Sequence, residues 1–445
     1  MIPARLRTFR YAAVPALVCA SLLGYVTNTH AMDFDGYFQE SIATRTSEMD
    51  DVIFHRQTLN LKLTERFSRK LMFRLEIDTW FDSADFIDDS PRSSSRIREG
   101  YLKFGIGDLD LRIGRVQIAW GEAEGVVVSD QVSPFDLGNF IIPKFDEIRL
   151  GVDGVFADYY FANGSELQLL WISHFEQPDF PDDNSPWSFI DADAFAAEGA
   201  TLESLDDPAN AFKNSELGIR FSGHPIAADW SVGYLWSWDD RPSLFQEFGA
   251  GPGGPALVSV TPTIERFHLF TANIVAPVGE YLLKFDTAYE ANRYLSTDPT
   301  LGVDSALIAD GLRVKTDVWR GLLGMEMKPN IPYWEQAEAS FQYVHEHVMD
   351  DHPSLAQAGD NDLLSMRLSA GYRNDTIKPW LFAIYDVDGD NFWIQTRVDY
   401  EPRDAVRFSI EYNLFEGHAY DGDTGGTFGG FDDNDMLQLT ARYSF

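Results

Sequence analysis

The feature that most limits this chain is a period of two. In residues 406–414, Val406, Phe408, Ile410, Tyr412 and Leu414 alternate with Arg407, Ser409, Glu411 and Asn413. Phe73, Leu75 and Ile77 alternate with Arg74, Glu76 and Asp78, and Tyr281, Leu283 and Phe285 with Lys284 and Asp286. The closing run, LQLTARYSF, repeats the pattern and stops on Phe445. Successive side chains of a strand point to opposite faces, so these stretches are strands with one apolar and one polar face. They run to about 9–12 residues, as a tilted membrane strand requires, whereas sandwich strands are nearer 5–6. Aromatics gather near their ends, at Trp80, Phe81, Trp236, Trp238, Tyr400 and Tyr443, where a membrane interface would hold them.

Short connections (65–69, 105–108, 162–164, 223–226, 276–279, 373–376 and 401–404) alternate with long ones (82–95, 120–151, 174–213, 239–263, 293–312, 349–361 and 417–434). The tight hairpin at 386–391 is the exception. This layout predicts an all-β, transmembrane, antiparallel up-and-down β-barrel of about 18 strands (16–18), with short periplasmic turns and long extracellular loops. Residues 437–445 are then the closing strand. A terminal aromatic after alternating residues resembles the signal read by bacterial barrel-assembly machinery, one expected partner. A soluble β-rich secreted protein is the alternative; independence from detergent would reveal it.

Composition narrows the class. Asp+Glu number 70 against 35 Lys+Arg, a net charge of −35, and a nucleic-acid binder would carry the opposite sign. Aromatics make up 14% of the chain, which an acidic disordered protein lacks. Residues 1–31 read as a secretory signal peptide, with Arg5, Arg7 and Arg10 before an apolar stretch and Ala31 at the cleavage position. An uncleaved anchor is the alternative. Cleavage would take the charge from −35 to −38, since three arginines and no acid precede Asp33. It would also remove Cys19, the only cysteine, leaving residues 32–445 as one outer-membrane barrel domain without disulfides or thiolate sites. Much of the acidity belongs to loops: residues 174–213 hold ten acids and one lysine. Such a crown repels like surfaces, or holds divalent cations beside lipopolysaccharide phosphates; no cofactor is expected, with calcium bound weakly by the acidic loops as the alternative.

By alternation, Arg74, Glu76, Asp78, Lys284, Arg367, Arg397, Arg407 and Arg442 face the lumen. The segment most suggestive of function is GRVQIAWGEAEGVVVSDQVSPFDLGNFIIP, residues 114–143. Its pattern changes phase at Gly114, which reads as a β-bulge placing Arg115 and Gln117 inward. The stretch beyond is too long for a turn and too apolar to hang in water. It is expected to fold into the barrel mouth or lumen and narrow it; an outside loop with its own core is the other reading. Arg115, Gln117, Trp120, Glu122 and Glu124 are the candidate constriction.

These residues carry a resemblance. Gly114, Gln117, Trp120-Gly121-Glu122 and Gly125, followed by Pro134 and Asp136, are similar to the Trp-Gly-Glu-x-Asp-Gly motif of an uncharacterised family of proteobacterial outer-membrane barrels, grouped with alginate-export-like and porin-like barrels. Glu124 stands for the usual Asp, and Ser133 for Asn. Residues 214–225 and 234–245 also resemble later segments of that family. The resemblance implies movement of hydrophobic or amphiphilic molecules, since members tend to be encoded near periplasmic lipid-carrier-like proteins and efflux-type pumps; a periplasmic carrier is therefore a candidate partner.

Other motifs are weaker. Asp386-Val387-Asp388-Gly389-Asp390 has calcium-loop residue types without the full spacing or closing Glu, and hairpin chemistry explains it equally. His345 and His347 share a strand face and could hold a metal, or form a polar rim. No Gly-x-Ser-x-Gly elbow occurs, so the chain is read as a non-enzyme. The expected function is passive or facilitated transport of small or amphiphilic molecules across the outer membrane. The alternative is a barrel working with a periplasmic carrier or pump in export or lipid transport.

Overall fold

In the computed structural model of the chain, residues 32–47, 51–84, 92–142, 145–181, 185–188, 192–197, 199–224, 228–251, 254–298, 301–302, 304–350, 352–419 and 425–445 are described. The signal reading at residues 1–31 lies outside them. Eighteen strands form one antiparallel sheet. It closes where the first strand, Asp33–Arg45, pairs with the last, Met436–Ser444, from Tyr37 opposite Ser444 to Arg45 opposite Met436. Closure leaves no strand edge unpaired, the condition for crossing lipid with strands.

The alternation read from sequence is the alternation of the wall. Phe408, Ile410, Leu439 and Tyr443 are exposed on the outer face, whereas Glu411 and Asn413 are buried inside. Turns at one end are short: strands break at Ser68 and resume at Leu71, and break at Val278 and resume at Tyr281. Gly107 and Gly279, both at φ 64°, take left-handed turn positions where a Cβ would be strained. Connections at the other end are long. The longest carry structure of their own: Ser243–Gly251 and Gly254–Thr263 form a hairpin, and Thr201–Leu202 joins it in parallel. In the sequence this stretch reads only as the long connection 239–263.

The phase change does not sit where the sequence suggested. Register runs unbroken through Gly114, which lies opposite Tyr101 and Gly154. The irregularity is on the preceding strand, Arg92–Ile106: Glu76 faces Glu99 and Ile77 faces Ile97, so Arg98 is the extra residue. Gly114 is required instead by space, since a Cβ there would stand 2.2 Å from the Gly100 carbonyl oxygen. Arg115 consequently keeps the parity of exposed Ile113 and points outward. Val116 points inward and is fully buried.

Candidate functional site: a segment laid across the lumen

Between Val116 and Val152 the described residues leave the wall and enter the barrel. Its first half is extended, and side chains satisfy its alternate backbone N–H groups. Ile118 N donates to Ser133 Oγ (2.9 Å) and Trp120 N to Asp130 Oδ1 (3.0 Å). Glu122 N donates to Asp286 Oδ2 (3.0 Å) and Glu124 N to Gln342 Oε1 (3.1 Å). A buried backbone without ladder partners must find acceptors elsewhere; here the segment supplies two and the facing wall supplies two. Asn273 extends the anchoring by donating to Ser129 Oγ (2.9 Å) and Asp286 Oδ1 (2.7 Å).

The segment divides the lumen. On one side Val116, Ile118, Trp120, Val128 and Val132 pack against inward residues of the wall, including Phe156, Leu170, Leu235 and Leu269, in a dry core. Trp120 is 1% exposed, and its Nε1 donates to Gln168 Oε1 at 2.8 Å. The wall accommodates the ring at Gly233, where a Cβ would come 3.1 Å from it. Farther along, Gly125 meets Phe382 so closely that a Cβ would lie 2.0 Å from the ring. The crossing therefore runs from wall to opposite wall.

Charge is fixed by the same crossing. Glu124 accepts from Lys284 Nζ (3.2 Å) and Arg367 Nε (2.6 Å), drawing two wall cations to one carboxylate. Burial pushes the Glu124 carboxyl up, but the Arg367 hydrogen bond and the Arg367 and Lys284 charges hold it below its ordinary value. Burial pushes the Glu122 carboxyl the other way, above that value, with Lys284 opposing and Asp286 adding. On the wall strand Tyr281–Ser296, facing the segment, Glu290 is fully buried and accepts from Gln131 of the segment (2.6 Å) and from Arg241 (3.0 Å), Arg293 (2.9 Å) and Arg320.

On the other side of the segment lies a cavity of about 180 Å³. Arg56, Arg96, Arg98, Arg397, Arg407 and Arg442 line it together with Asp78, Asp136, Glu147, Asp399 and Glu411. Arg56 lies 4.3 Å from the Trp80 ring centre and Arg442 4.1 Å from that of Tyr37. Toward the long-loop end, Phe140, Trp187, Trp393, Phe415, Phe428 and Phe431 pack together. Phe140 and Phe431 have ring centres 4.7 Å apart, and Trp393 lies flat against Phe415 at 5.9 Å. Phe54 and Ile142 belong to this cluster and also line the cavity, so the two are contiguous.

The sequence-derived candidates separate accordingly. Trp120, Glu122 and Glu124 lie on the crossing; Gln117 stands at its root and donates to the Arg149 carbonyl. Arg115 belongs elsewhere: it binds Asp153 (3.0 Å) and Glu176 on the outer face. Of the eight inward charges, Lys284 and Arg367 hold Glu124, Asp78, Arg397, Arg407 and Arg442 line the cavity, and Arg74 joins Glu76 (3.1 Å) and Glu99 (2.6 Å) in the wall. Sequence reasoning placed Asp286 on the polar face of its strand but missed Gln342, Gln131 and Trp187, which meet residues remote in the chain. The hairpin carboxylates of Asp386, Asp388 and Asp390 accept from Gly389 N, Asp362 N and the Tyr385 hydroxyl.

The sequence matches one family model from residue 51 to residue 445, a protein family of unknown function designated DUF1302. The chain belongs to that family. No functionally curated protein matches it at a meaningful level. Among solved structures, this DUF1302 member is similar to OccK8 (OprE) of Pseudomonas aeruginosa, with TM-score 0.52, 10% identity, and 93% of this chain and 98% of that one covered. It is also similar to Acinetobacter baumannii OccAB3 (TM-score 0.51, 10% identity, 93% and 99% covered). The outer membrane protein opdK of Pseudomonas aeruginosa gives TM-score 0.51 at 9% identity, with 93% and 99% covered. At such identity the likeness is one of fold, the closed barrel of bacterial outer-membrane proteins.

Proposed function

We propose that this protein is an outer-membrane channel for small amphiphilic molecules, with residues 117–151 as its selectivity element. The observation that carries this reading is the contiguity of the aromatic cluster at the long-loop end with the arginine-lined cavity beneath it. An amphiphile has an apolar body and a polar head. Aromatic faces favour the body, and paired arginines beside carboxylates bind the head by exchanging partners. The fold shared with outer-membrane barrels supports the location.

Single-channel recording of the refolded protein in a planar bilayer tests it. Discrete conductance steps are expected, larger in a Trp187→Ala/Phe431→Ala double variant, because those side chains stand over the cavity. Permanent silence from both proteins, when each migrates as a heat-modifiable barrel, would refute the channel.

One observation favours the second reading, a barrel docking a periplasmic carrier. The turn at 328–334, at the short-turn end, exposes Ile331, Tyr333 and Trp334, with Tyr333 88% exposed. Carrier capture that is lost in a Tyr333→Ser/Trp334→Ser variant would move the assignment to an export or lipid-transport assembly.

A further inference from the structure

We propose that His345, His347 and Asp360 form a binding site for a zinc-type divalent cation on the outer rim of the barrel. The two histidines lie on strand Glu335–Val348, two residues apart, and so share a face. That face is outward: Phe341 and Tyr343 on the same parity are exposed, while Val344 on the other packs in the lumen core. The neighbouring strand, Asp360–Gly371, sets Asp362 opposite His345 and Asp360 opposite His347. Two imidazoles and two carboxylates therefore form a square across one antiparallel ladder, near the long-loop end.

The atoms fit a metal centre. One ligand atom each from His345, His347 and Asp360 falls within 4.8 Å of the others. Asp360 Oδ1 is 2.6 Å from His347 Nδ1 and 3.9 Å from His345 Nε2. Zinc–nitrogen bonds of about 2.0–2.1 Å in a tetrahedral site put ligand atoms roughly 3.3 Å apart, so small rotations complete the set. The cation replaces the present hydrogen bond between Asp360 and His347.

A second, independent feature points the same way. His345 Nδ1 is 2.7 Å from Asp362 Oδ1. Asp362 in turn accepts from the Tyr343 hydroxyl at 2.6 Å, and its backbone N–H donates to Asp388. A carboxylate holding Nδ1–H fixes the tautomer and leaves Nε2 as a lone pair for a metal, the usual outer shell of a zinc-bound imidazole. Two imidazoles select zinc, nickel or copper over calcium and magnesium, which take oxygen ligands. Three protein ligands leave a coordination position open to water or to an oxygen of the surrounding outer leaflet. The side chains of His347 and Asp360 are 40% and 63% exposed, so a cation reaches them from solvent.

The test is titration of zinc chloride into the full, detergent-solubilised barrel after chelator washing, with binding followed by calorimetry. One zinc per chain is expected, undiminished by excess calcium. A His345→Ala/His347→Ala variant should lose that site. Asp362→Asn should keep the stoichiometry and weaken affinity by about 10–100-fold. Copper bound to the wild type should show nitrogen hyperfine structure in its electron paramagnetic resonance spectrum. Unaltered heat-modifiable mobility establishes that each variant folds. The proposal is overturned if the wild type binds no zinc at about 1 mM, or if the double variant binds as well as wild type. It also fails if binding disappears in His174→Ala, which would place the metal at the Asp153, His174 and Glu176 group instead.

Discussion

At the scale of single residues, the lumen is governed by carboxylates that gather arginines. Glu290 is the clearest: buried completely, it accepts from Arg241, Arg293 and Arg320 and also binds Gln131 of the crossing segment. Removing one partner from a buried charge network leaves the others uncompensated, at about 3–5 kcal/mol. Glu290→Gln is therefore expected to lower unfolding stability by that order in guanidinium titration of the detergent-solubilised barrel; a loss under about 1 kcal/mol would mean that water solvates the arginines. Glu122 and Glu124 illustrate opposite tuning two residues apart on the crossing segment. Burial raises the first, and the charges and hydrogen bonds of Arg367 and Lys284 lower the second. The folded protein thus holds the Glu122 proton more tightly than the unfolded chain does. Stability from that group is full below the unfolded value, near 4.3, and is lost as pH rises through the folded one. For Glu124 the contribution is present above the unfolded value and lost as pH falls through the depressed one. As pH falls, then, Glu122 takes up its proton before Glu124 does, and the lumen gains positive charge. Reversal potentials under a salt gradient should move toward anion selectivity as pH falls through the raised Glu122 transition in wild type, and this shift should be lost in Glu122→Gln.

At the scale of the element, what matters is how a stretch without a strand ladder stays inside a barrel. Residues 118–124 do so by borrowing oxygens from Ser133, Asp130, Asp286 and Gln342, and by burying Trp120 under the wall at Gly233. The wall itself is held by its own ladders, so segment and wall are separable in energy. Trp120→Ala should remove about 3–5 kcal/mol of packing from the segment without dissolving the barrel. Higher open-channel noise and faster protease cleavage within 117–151, with heat-modifiable mobility preserved, are the expected signs; a segment as protected as in wild type would mean that its hydrogen bonds alone hold it. The sequence displayed the apolar content of this stretch, and so its need for cover. It could not display the acceptors: Glu122 and Asp286 are 164 positions apart, and Glu124 and Gln342 are 218 apart.

At the scale of the molecule, closure is the decisive event, and it joins the two ends of the described barrel. Gly36 and Phe445 exchange both backbone hydrogen bonds at 3.0 Å, and Phe34 stacks on Phe445 with ring centres 5.9 Å apart. Deleting Phe445 removes these contacts at the seam and the terminal aromatic of the closing strand. Reduced barrel yield in the outer membrane is expected, measured as the heat-modifiable fraction; an unchanged yield would show that the seam closes without its last residue. The wall was readable from sequence because lipid imposes one condition on every strand, an apolar face at every second residue, and because short and long connections mark the two ends. Leu439, Phe408 and Ile410 on one face and Glu411 and Arg442 on the other follow from parity alone. The inward reading of Arg115 failed because it rested on a phase change at Gly114 that the wall does not make. A charge near a strand end is not evidence of a lumen position, since the outer face is polar beyond the hydrocarbon, and there Asp153 and Glu176 receive it. The sequence by itself determined a closed antiparallel barrel and which wall residues face outward, because those depend on period and local turns. Only the tertiary structure decided that the lumen is divided into a dry core and an arginine-lined cavity. That division rests on contacts between residues far apart in the chain, and no local pattern encodes which distant side chain will meet which.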